Sequence, residues 1–214
     1  NVTKIDKLAP TIGTITGAFT IVSGNTGTIQ LTSISDTGSG LSGYHVNTTG
    51  TKPTLNSSWT TNTASSISYS VTNAGTYYFW IKDNAGNISE AKSCKVSTVT
   101  AIAKVGDTYY SSMKNAIDSI PSSGTITVLQ DYTEGVSIVA EKNITIDFNG
   151  KTHNGCITNH GTCELKNGKI NYTGTGSWVV YNSEGQMVIN NMTIIDTATF
   201  NGCAVVNIKG TMYI

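Results

Sequence analysis

Arginine is absent from this 214-residue chain, and all thirteen of its basic side chains are lysines. Charged residues make up only 12% of the sequence, and thirteen acidic groups bring the formal net charge to zero. Proteins that bind nucleic acid carry a basic patch, so we expect no nucleic-acid partner. No apolar run reaches the roughly 18–20 residues of a membrane span, so we expect no membrane insertion of this segment.

An initiator methionine and a signal peptide are also missing, which leads us to expect an internal or mature segment of a longer protein. Cysteine is scarce: Cys94 lies in the first half, and Cys156, Cys163 and Cys203 lie in the second. Their spacing matches no disulfide framework, and a chain of this length can form a core without cross-links. We therefore predict small buried thiols.

Three similar stretches near the C-terminus are the main pattern that is present. Each consists of a short strand, a glycine turn and a second short strand; the copies are residues 157–167, 180–191 and 205–214, with Gly161, Gly185 and Gly210 in the turns. By subtraction of their numbers, these glycines are 24 and 25 residues apart. One copy is too small to bury an apolar face alone. Strand-only units with such a period predict a β-solenoid.

Alternation assigns the side chains of each repeat to two faces, because residues i and i+2 of a strand lie on the same side. One face carries an aliphatic residue and an asparagine in every copy: Ile157 with Asn159, Val180 with Asn182, and Val205 with Asn207. After the turn, the aligned positions are Cys163, Leu165 and Asn167, then Met187, Ile189 and Asn191, then Met212 and Ile214. Rungs about 4.8 Å apart would stack the asparagines into hydrogen-bonded ladders. We predict that these ladders are structural and do not bind a ligand.

Residues 8–99 have a different pattern, which predicts a small β-sandwich. Strand candidates alternate with turn signals rich in Gly, Asn and Asp; they are residues 12–15, 28–33, 43–47, 66–71, 75–82 and 91–96. In the fifth candidate, Tyr77, Phe79 and Ile81 share one face, and Tyr78 and Trp80 share the other. Aromatic residues on both faces indicate a central strand, or one whose second face is covered by a loop or a neighbouring domain.

This half resembles the bacterial Ig-like repeats that occur in tandem on Gram-positive surface and secreted proteins. The matching residues are 5–11 (IDKLAPT), 35–41 (SDTGSGL), Trp59 and, most specifically, 75–87 (GTYYFWIKDNAGN). The resemblance implies an Ig-like β-sandwich with neighbouring tandem domains in the same chain. It also implies that residues 1–7 are the tail of a preceding copy.

Residues 104–214 begin with a predicted short helix. Its apolar stripe consists of Tyr109, Met113, Ala116, Ile117 and Ile120, and Pro121 and Gly124 end it. The terminal rung of a solenoid exposes an apolar cross-section, and the helix lies where a cap is required. Residues 105–131 (VGDTYY, then AI, then IPSSGTITVLQD) resemble the N-terminal cap and first rung of right-handed parallel β-helix proteins of bacterial surfaces.

The predicted fold class is therefore all-β. An Ig-like β-sandwich (8–99) is followed by a right-handed parallel β-helix with a short N-terminal capping helix (104–214). The last copy stops in mid-strand at Ile214, so we expect further rungs or a partner that pairs with this edge.

Two residue pairs have the spacing of zinc ligands, His153 with Cys156 and His160 with Cys163. The repeat phase argues against a zinc site, because Cys163 aligns with the inward-facing Met187 whereas Cys156 is one residue out of phase with Ile157. We therefore predict a core thiol with exposed turn histidines, and neither a bound metal nor a cofactor.

Asp36, Asp83 and Asn84 offer oxygen ligands for a calcium ion at one end of the sandwich. The same residues are common in turns, where the carboxylate accepts hydrogen bonds from local backbone N–H groups. The sequence leaves both interpretations open and favours the turns.

Polysaccharide lyases and glycoside hydrolases also use β-helices. Their reactions need a base, or two carboxylates about 5–9.5 Å apart. From Cys156 onward the acids are Glu164, Glu184 and Asp196; Glu164 aligns with Val188 and not with another acid, and Asp147 precedes them beside a turn. We therefore predict no catalytic residues in this segment.

Trp178, with Tyr172 and Tyr181, is a candidate stacking platform for a sugar ring on the solenoid flank. The alternative is that Trp178 only packs in the loop before the next strand. We expect a non-catalytic, extracellular spacer and adhesive scaffold at the bacterial cell surface or cell wall, whose partners are glycans or host or bacterial surface proteins. The alternative is the N-terminal part of a β-helix lyase or hydrolase whose catalytic rungs follow Ile214.

Overall fold

The computed structural model of the protein describes residues 5–174, 178–197 and 203–214. It divides the chain into two compact units, Asn1–Val99 and Thr100–Ile214, which we call the first and second units. In the described residues, strands dominate both units, and the single α-helix belongs to the second.

The first unit contains two sheets. Its strands are β1 (Thr14–Gly17), β2 (Thr20–Val22), β3 (Gly27–Thr32), β4 (Leu41–Asn47), β5 (Thr60–Thr61), β6 (Ile67–Val71), β7 (Gly75–Asp83) and β8 (Lys92–Val99). One sheet has the order β1-β3-β6, and the other has the order β2-β8-β7-β4-β5. All neighbours are antiparallel except β2 and β8. The six predicted strands correspond to β1, β3, β4, β6, β7 and β8, while the very short β2 and β5 escaped prediction.

The core of the first unit lies between these sheets. It consists of Ile21, Ile29, Leu31, Ile34, Ile67, Val71, Tyr77, Phe79, Ile81 and Val96. The face of β7 that Tyr77, Phe79 and Ile81 share lies in this core, where Phe79 and Ile81 are almost completely buried. The strand is also central, with β4 and β8 on its two sides. On its other face, Trp80 is buried and its ring contacts His45 and Tyr78.

The second unit is a parallel β-solenoid of about three turns. Its elements are β9 (Ala103–Val105), β10 (Thr108–Tyr110), α1 (Met113–Ser119), β11 (Ser123–Val128), β12 (Val136–Ile138), β13 (Asn143–Asp147), β14 (Thr152–His153), β15 (Ile157–Asn159), β16 (Thr162–Tyr172), β17 (Trp178–Ser183), β18 (Gln186–Asp196), β19 (Cys203–Ile208) and β20 (Thr211–Tyr213). Two parallel stacks run along it, β11-β13-β16-β18-β20 and β12-β15-β17-β19. The predicted phase is confirmed: Cys163 pairs with Met187, and Met187 pairs with Met212.

A left-handed asparagine bends each of the two long strands. Asn167 in β16 and Asn191 in β18 have φ angles of 60° and 52°, a region that asparagine tolerates better than most residues. The Nδ2 of Asn191 donates to the Oδ1 of Asn167 at 3.1 Å. Each long strand therefore covers two sides of the solenoid, and the stack that contains β15 and β17 supplies a third.

The repeated glycines allow the turns to stack closely. A Cβ at Gly185 would overlap the carbonyl oxygen of Gly161, and a Cβ at Gly210 would overlap that of Gly185. The same carbonyl oxygens accept hydrogen bonds from the next turn, from Gln186 N at 2.8 Å and Thr211 N at 3.0 Å. Glycine recurs here because the neighbouring turn leaves no room for a side chain.

Helix α1 caps the N-terminal end of the solenoid core. Met113, Ala116 and Ile117 are buried in that core, as the apolar stripe predicted. The prediction was wrong at Tyr109, which belongs to β10 and not to the helix. Ser112 Oγ accepts from Asn115 N at the start of α1, and the carboxylate of Glu134 accepts from the first two helical N–H groups.

Candidate functional site

The inner asparagines hold the turns of the solenoid in register. Asn159 Nδ2 donates to Asn182 Oδ1, and Asn182 Nδ2 donates to Asn207 Oδ1, both at 2.7 Å. Each of these three amides also donates to the carbonyl oxygen of the following turn glycine, at 2.9–3.0 Å. Asn159 and Asn182 are fully buried. The predicted hydrogen-bonded ladder is confirmed. In each copy, one outward-facing residue lies between the aliphatic residue and the asparagine. The ladder brings these outward-facing residues of successive turns side by side.

One outward-facing row crosses the stack β12-β15-β17-β19. Strand register places Ser137, Thr158, Tyr181 and Val206 side by side. The ring of Trp178 stacks on that of Tyr181, with ring centroids 4.6 Å apart and planes inclined by 26°. Trp178 remains 39% exposed. We call Trp178, Tyr181, Val206 and Ile208 the flank patch.

The flank patch is largely apolar, in contrast with the hydroxyl side chains beside it. Ile208 is exposed, and Val206 on the same face of β19 is half-buried. Ser137 and Thr158 continue the row toward the N-terminal end with small hydroxyl side chains. The structure therefore presents two stacked aromatic rings with aliphatic residues on one side and hydroxyl groups on the other.

Tyr172, the third residue of the predicted platform, lies at the C-terminal end of β16. It is half-buried and packs against the solenoid core. It borders a cavity of about 390 Å³ whose lining also includes Glu134, Gly155 and Cys156. Two of the three predicted platform residues are thus stacked on each other, and Tyr172 borders this cavity.

A polar groove of about 590 Å³ follows the corner formed by the left-handed asparagines. Its lining residues are Asp147, Asn149, Gly150, Asn167, Gly168, Lys169, Asn191 and Thr193. Asp147 Oδ1 accepts from Asn149 N at 2.9 Å and from Asn167 Nδ2 at 3.3 Å. Sequence reasoning missed this groove, although the recurrence of Asn-Gly at residues 149–150 and 167–168 is a signal that could have indicated a shared corner.

The acids considered for catalysis have other roles or neighbours. Glu164 pairs in register with Thr145 and Val188, and its carboxylate lies 4.0 Å from the ammonium of Lys166. Glu184 lies in a turn with a φ of 64°, 3.8 Å from the ammonium of Lys209. Asp196 is the last residue of β18. Glu164 and Glu184 thus each lie next to a lysine.

The predicted exposure of the turn histidines is correct for His160 and wrong for His153. His160 is exposed, but His153 is fully buried. The centroid of the His153 ring lies 4.6 Å from the centroid of the Tyr132 ring. Burial lowers the pKa of His153 to about 4, so the ring is neutral at pH 7. Its Nδ1 and the Tyr132 hydroxyl are both buried and have no hydrogen-bond partner within the described part of the chain. The misassignment arose because residues 152–153 form β14 instead of a turn.

The cysteines are only partly as predicted. Cys163 is buried, and this burial raises the pKa of its thiol. Cys94 and Cys156 are half-buried and not fully buried, and the side chain of Cys203 lies outside the described residues. In the part of the chain that the structure describes, these histidines and cysteines do not assemble into a group of three metal ligands.

Three aspartates of the first unit do come together. Asp6, Asp36 and Asp83 each place a carboxylate oxygen within 4.8 Å of the others. Asn84, which the sequence grouped with them, instead donates its Nδ2 to the carbonyl oxygens of Ser39 and Gly40 at 3.0 and 3.1 Å. Asp6 was missed because it precedes β1 and is far in sequence from the other two.

Comparisons with known proteins return no similar protein: no family model, no curated protein and no solved structure matches this chain. Among the described residues, no helix is long and apolar enough to cross a membrane.

Proposed function

We propose that this chain is a non-catalytic segment of an extracellular bacterial surface protein, where it acts as a spacer and an adhesive scaffold that binds glycans. In this proposal the first unit is an Ig-like spacer, and the second is the N-terminal part of a right-handed parallel β-helix. The long flank of the second unit carries the binding surface. The protein would operate at the cell surface or in the cell wall, next to further domains of the same chain.

Strand order supports the Ig-like assignment of the first unit. If β1, β3, β4, β6, β7 and β8 are strands A, B, C, E, F and G, one sheet contains A-B-E and the other contains G-F-C. This distribution is typical of immunoglobulin-type sandwiches. The resemblance of residues 75–87 to bacterial Ig-like repeats points in the same direction.

The observation that carries the binding proposal is the exposed ring of Trp178, stacked on Tyr181. Aromatic rings present an apolar surface that suits the C–H faces of sugars, and stacking orders these two rings before a ligand arrives. The hydroxyl groups of Ser137 and Thr158 in the same row offer hydrogen-bond partners for sugar hydroxyls. A glycan lying across the strands would contact both.

A glycan array probed with residues 1–214, followed by calorimetry on the best ligand, tests this proposal. Trp178→Ala and Tyr181→Ala should each weaken binding about two- to tenfold, because a stacking contact contributes roughly 0.5–1.5 kcal/mol. Tyr213→Ala is the matched control, since Tyr213 is an exposed aromatic residue on the other parallel stack. Equal weakening by the Tyr213 variant, or no glycan ligand on the array, would contradict the proposal.

One observation favours the alternative, a polysaccharide lyase or glycoside hydrolase. The polar groove combines the Asp147 carboxylate with the Lys169 ammonium at an open corner of the solenoid. Both groups would suit an acidic or hydroxyl-rich polymer, but the described residues that line the groove include no second carboxylate for a paired mechanism. Polysaccharide turnover by residues 1–214 that Asp147→Asn abolishes would establish the enzyme and overturn the non-catalytic assignment.

A further inference from the structure

The loops at one end of the first unit bring three carboxylates together. Asp36 lies in the loop between β3 and β4, Asp83 is the last residue of β7, and Asp6 precedes β1. Strand pairing explains the meeting of two of these regions, because Leu41 at the start of β4 lies opposite Asp83. Asp6 joins them through Ser39, whose backbone N–H donates to Asp6 Oδ2 at 2.7 Å.

Neutral donors satisfy most, but not all, of the carboxylate oxygens. Asp83 Oδ1 and Oδ2 accept from the backbone and the side chain of Asn87, both at 2.7 Å. Asp36 Oδ2 accepts from the backbone N–H groups of Gly38 and Gly40 at 3.1 and 2.7 Å. Among the described residues, no lysine forms an ion pair with Asp36 or Asp83.

A second observation at the same place points to a missing ligand. The Oδ1 atom of Asp36 is buried from solvent and accepts no hydrogen bond from any residue that the structure describes. A buried carboxylate oxygen without a donor is costly, because it has lost its water without replacement. Asp83, its neighbour in the cluster, is itself only 1% exposed. A cation bonded to Asp36 Oδ1 would replace the lost hydration.

We propose that Asp6, Asp36 and Asp83 bind one calcium ion. Calcium takes oxygen ligands at about 2.3–2.6 Å, so two ligands on opposite sides of the ion lie up to about 4.8–5 Å apart. The three carboxylates meet this limit. Magnesium requires near-octahedral geometry with bonds of about 2.0–2.1 Å, so the more flexible coordination of calcium better suits carboxylates that come from three separate segments.

The ion would connect three parts of the first unit that are distant in sequence. It would link the segment before β1 to the loop after β3 and to the C-terminal end of β7. Calcium binding should therefore slow amide hydrogen exchange at residues 36–40 and 83–87, and leave the strands of the solenoid unchanged. This outcome does not depend on glycan binding, so failure of one proposal leaves the other intact.

Calorimetric titration of EDTA-treated residues 1–214 with calcium chloride tests the site. We expect one ion per chain with a Kd below about 1 mM, at least tenfold tighter than for magnesium, and the exchange protection described above. Asp36→Asn should weaken binding at least tenfold. Asp107→Asn, at an exposed turn of the second unit, should leave it unchanged.

A second variant guards against loss of the fold. Asp6 lies outside the strands, so Asp6→Asn should preserve the circular dichroism spectrum and still weaken binding at least tenfold. The proposal is overturned if the folded wild-type chain shows no saturable calcium binding, if magnesium binds equally well, or if folded Asp6→Asn binds calcium as tightly as the wild type.

Discussion

The two units pack their interiors in different ways, as the neighbours of Phe79 and Asn182 show. In the first unit, Phe79 in β7 packs edge-to-face on Tyr69 in β6, a residue of a different type in the opposite sheet. In the second, Asn182 meets the equivalent asparagine of the turn before and of the turn after. The core of the first unit is a single arrangement of different side chains. The solenoid core repeats the same asparagine contact from one turn to the next.

This difference determines where polar groups are tolerated. The solenoid core contains fully buried Asn159, Asn182 and His153. The asparagines are acceptable there because every turn supplies the partner that the next one needs. The first unit gathers Asp6, Asp36 and Asp83 at one end, outside its apolar core, and of these three only Asp83 is fully buried. A repeated fold can therefore bury amides in its interior, whereas the non-repeated unit gathers three carboxylates at one end.

The largest effect should follow from emptying the core of the first unit. Phe79 is completely buried between the two sheets, so Phe79→Ala should lower the unfolding free energy of that unit by about 3–5 kcal/mol. Urea denaturation followed by hydrogen-exchange mass spectrometry would assign the loss to peptides of residues 1–99. The exposed Phe19 provides the matched control, and Phe19→Ala should change stability by less than about 0.5 kcal/mol.

Acid should distinguish the second unit through His153. Burial lowers its pKa to about 4, from 6.5 for the ordinary side chain. Between these values His153 is protonated in the unfolded chain but stays neutral in the folded chain. The unfolding free energy therefore falls as the pH drops from about 6.5 to 4. The loss should reach roughly 3 kcal/mol, since each pKa unit corresponds to about 1.4 kcal/mol.

His153→Leu should remove this component of the pH dependence. The measurement is the difference between wild type and variant in unfolding free energy at several pH values, which cancels contributions from carboxylates that titrate in both. His160→Gln is the control, because His160 is exposed. If the unfolding free energy of His153→Leu falls with pH as steeply as that of the wild type, another group is responsible.

Much of the second unit could be predicted because one repeat copy predicts the next. Aligning Gly161, Gly185 and Gly210 placed Cys163 beside Met187 and Asn159 beside Asn182, and the structure confirms both. The corner at Asn167 could not be predicted in this way. Alternation across one long strand gives no sign that a left-handed residue in its middle turns the chain onto another side.

The first unit shows the limit of local patterns more plainly. Alternation in β7 correctly placed Phe79 and Ile81 on one face, because period two depends only on neighbouring residues, and the structure buries both side chains in the core. The meeting of Asp6 with Asp36 and Asp83 depends on how three distant segments close on each other. No spacing rule within the sequence encodes that closure, so Asp6 went unnoticed.

A smaller effect tests whether the asparagine ladder is specific to the repeated core. Asn182→Ala removes an amide that donates to Gly185 O, Asn207 Oδ1 and Thr211 O, and it also removes the acceptor for Asn159 Nδ2. We expect a loss of about 2 kcal/mol in the unfolding free energy of the second unit, because buried polar groups lose their partners. Urea denaturation with hydrogen exchange again measures it.

Asn47 offers the matched comparison in the first unit. Asn47 is the last residue of β4, and its side chain also makes several hydrogen bonds, accepting from Thr49 N and Gly50 N and donating to Thr51 O. Unlike Asn182, it is only half-buried and adjoins the exposed residues 48–50. Water can replace those partners, so Asn47→Ala should cost less than about 1 kcal/mol. Equal losses at Asn47 and Asn182 would mean that the number of hydrogen bonds matters more than their burial. Burial of the asparagine ladder would then not distinguish the solenoid core from the first unit.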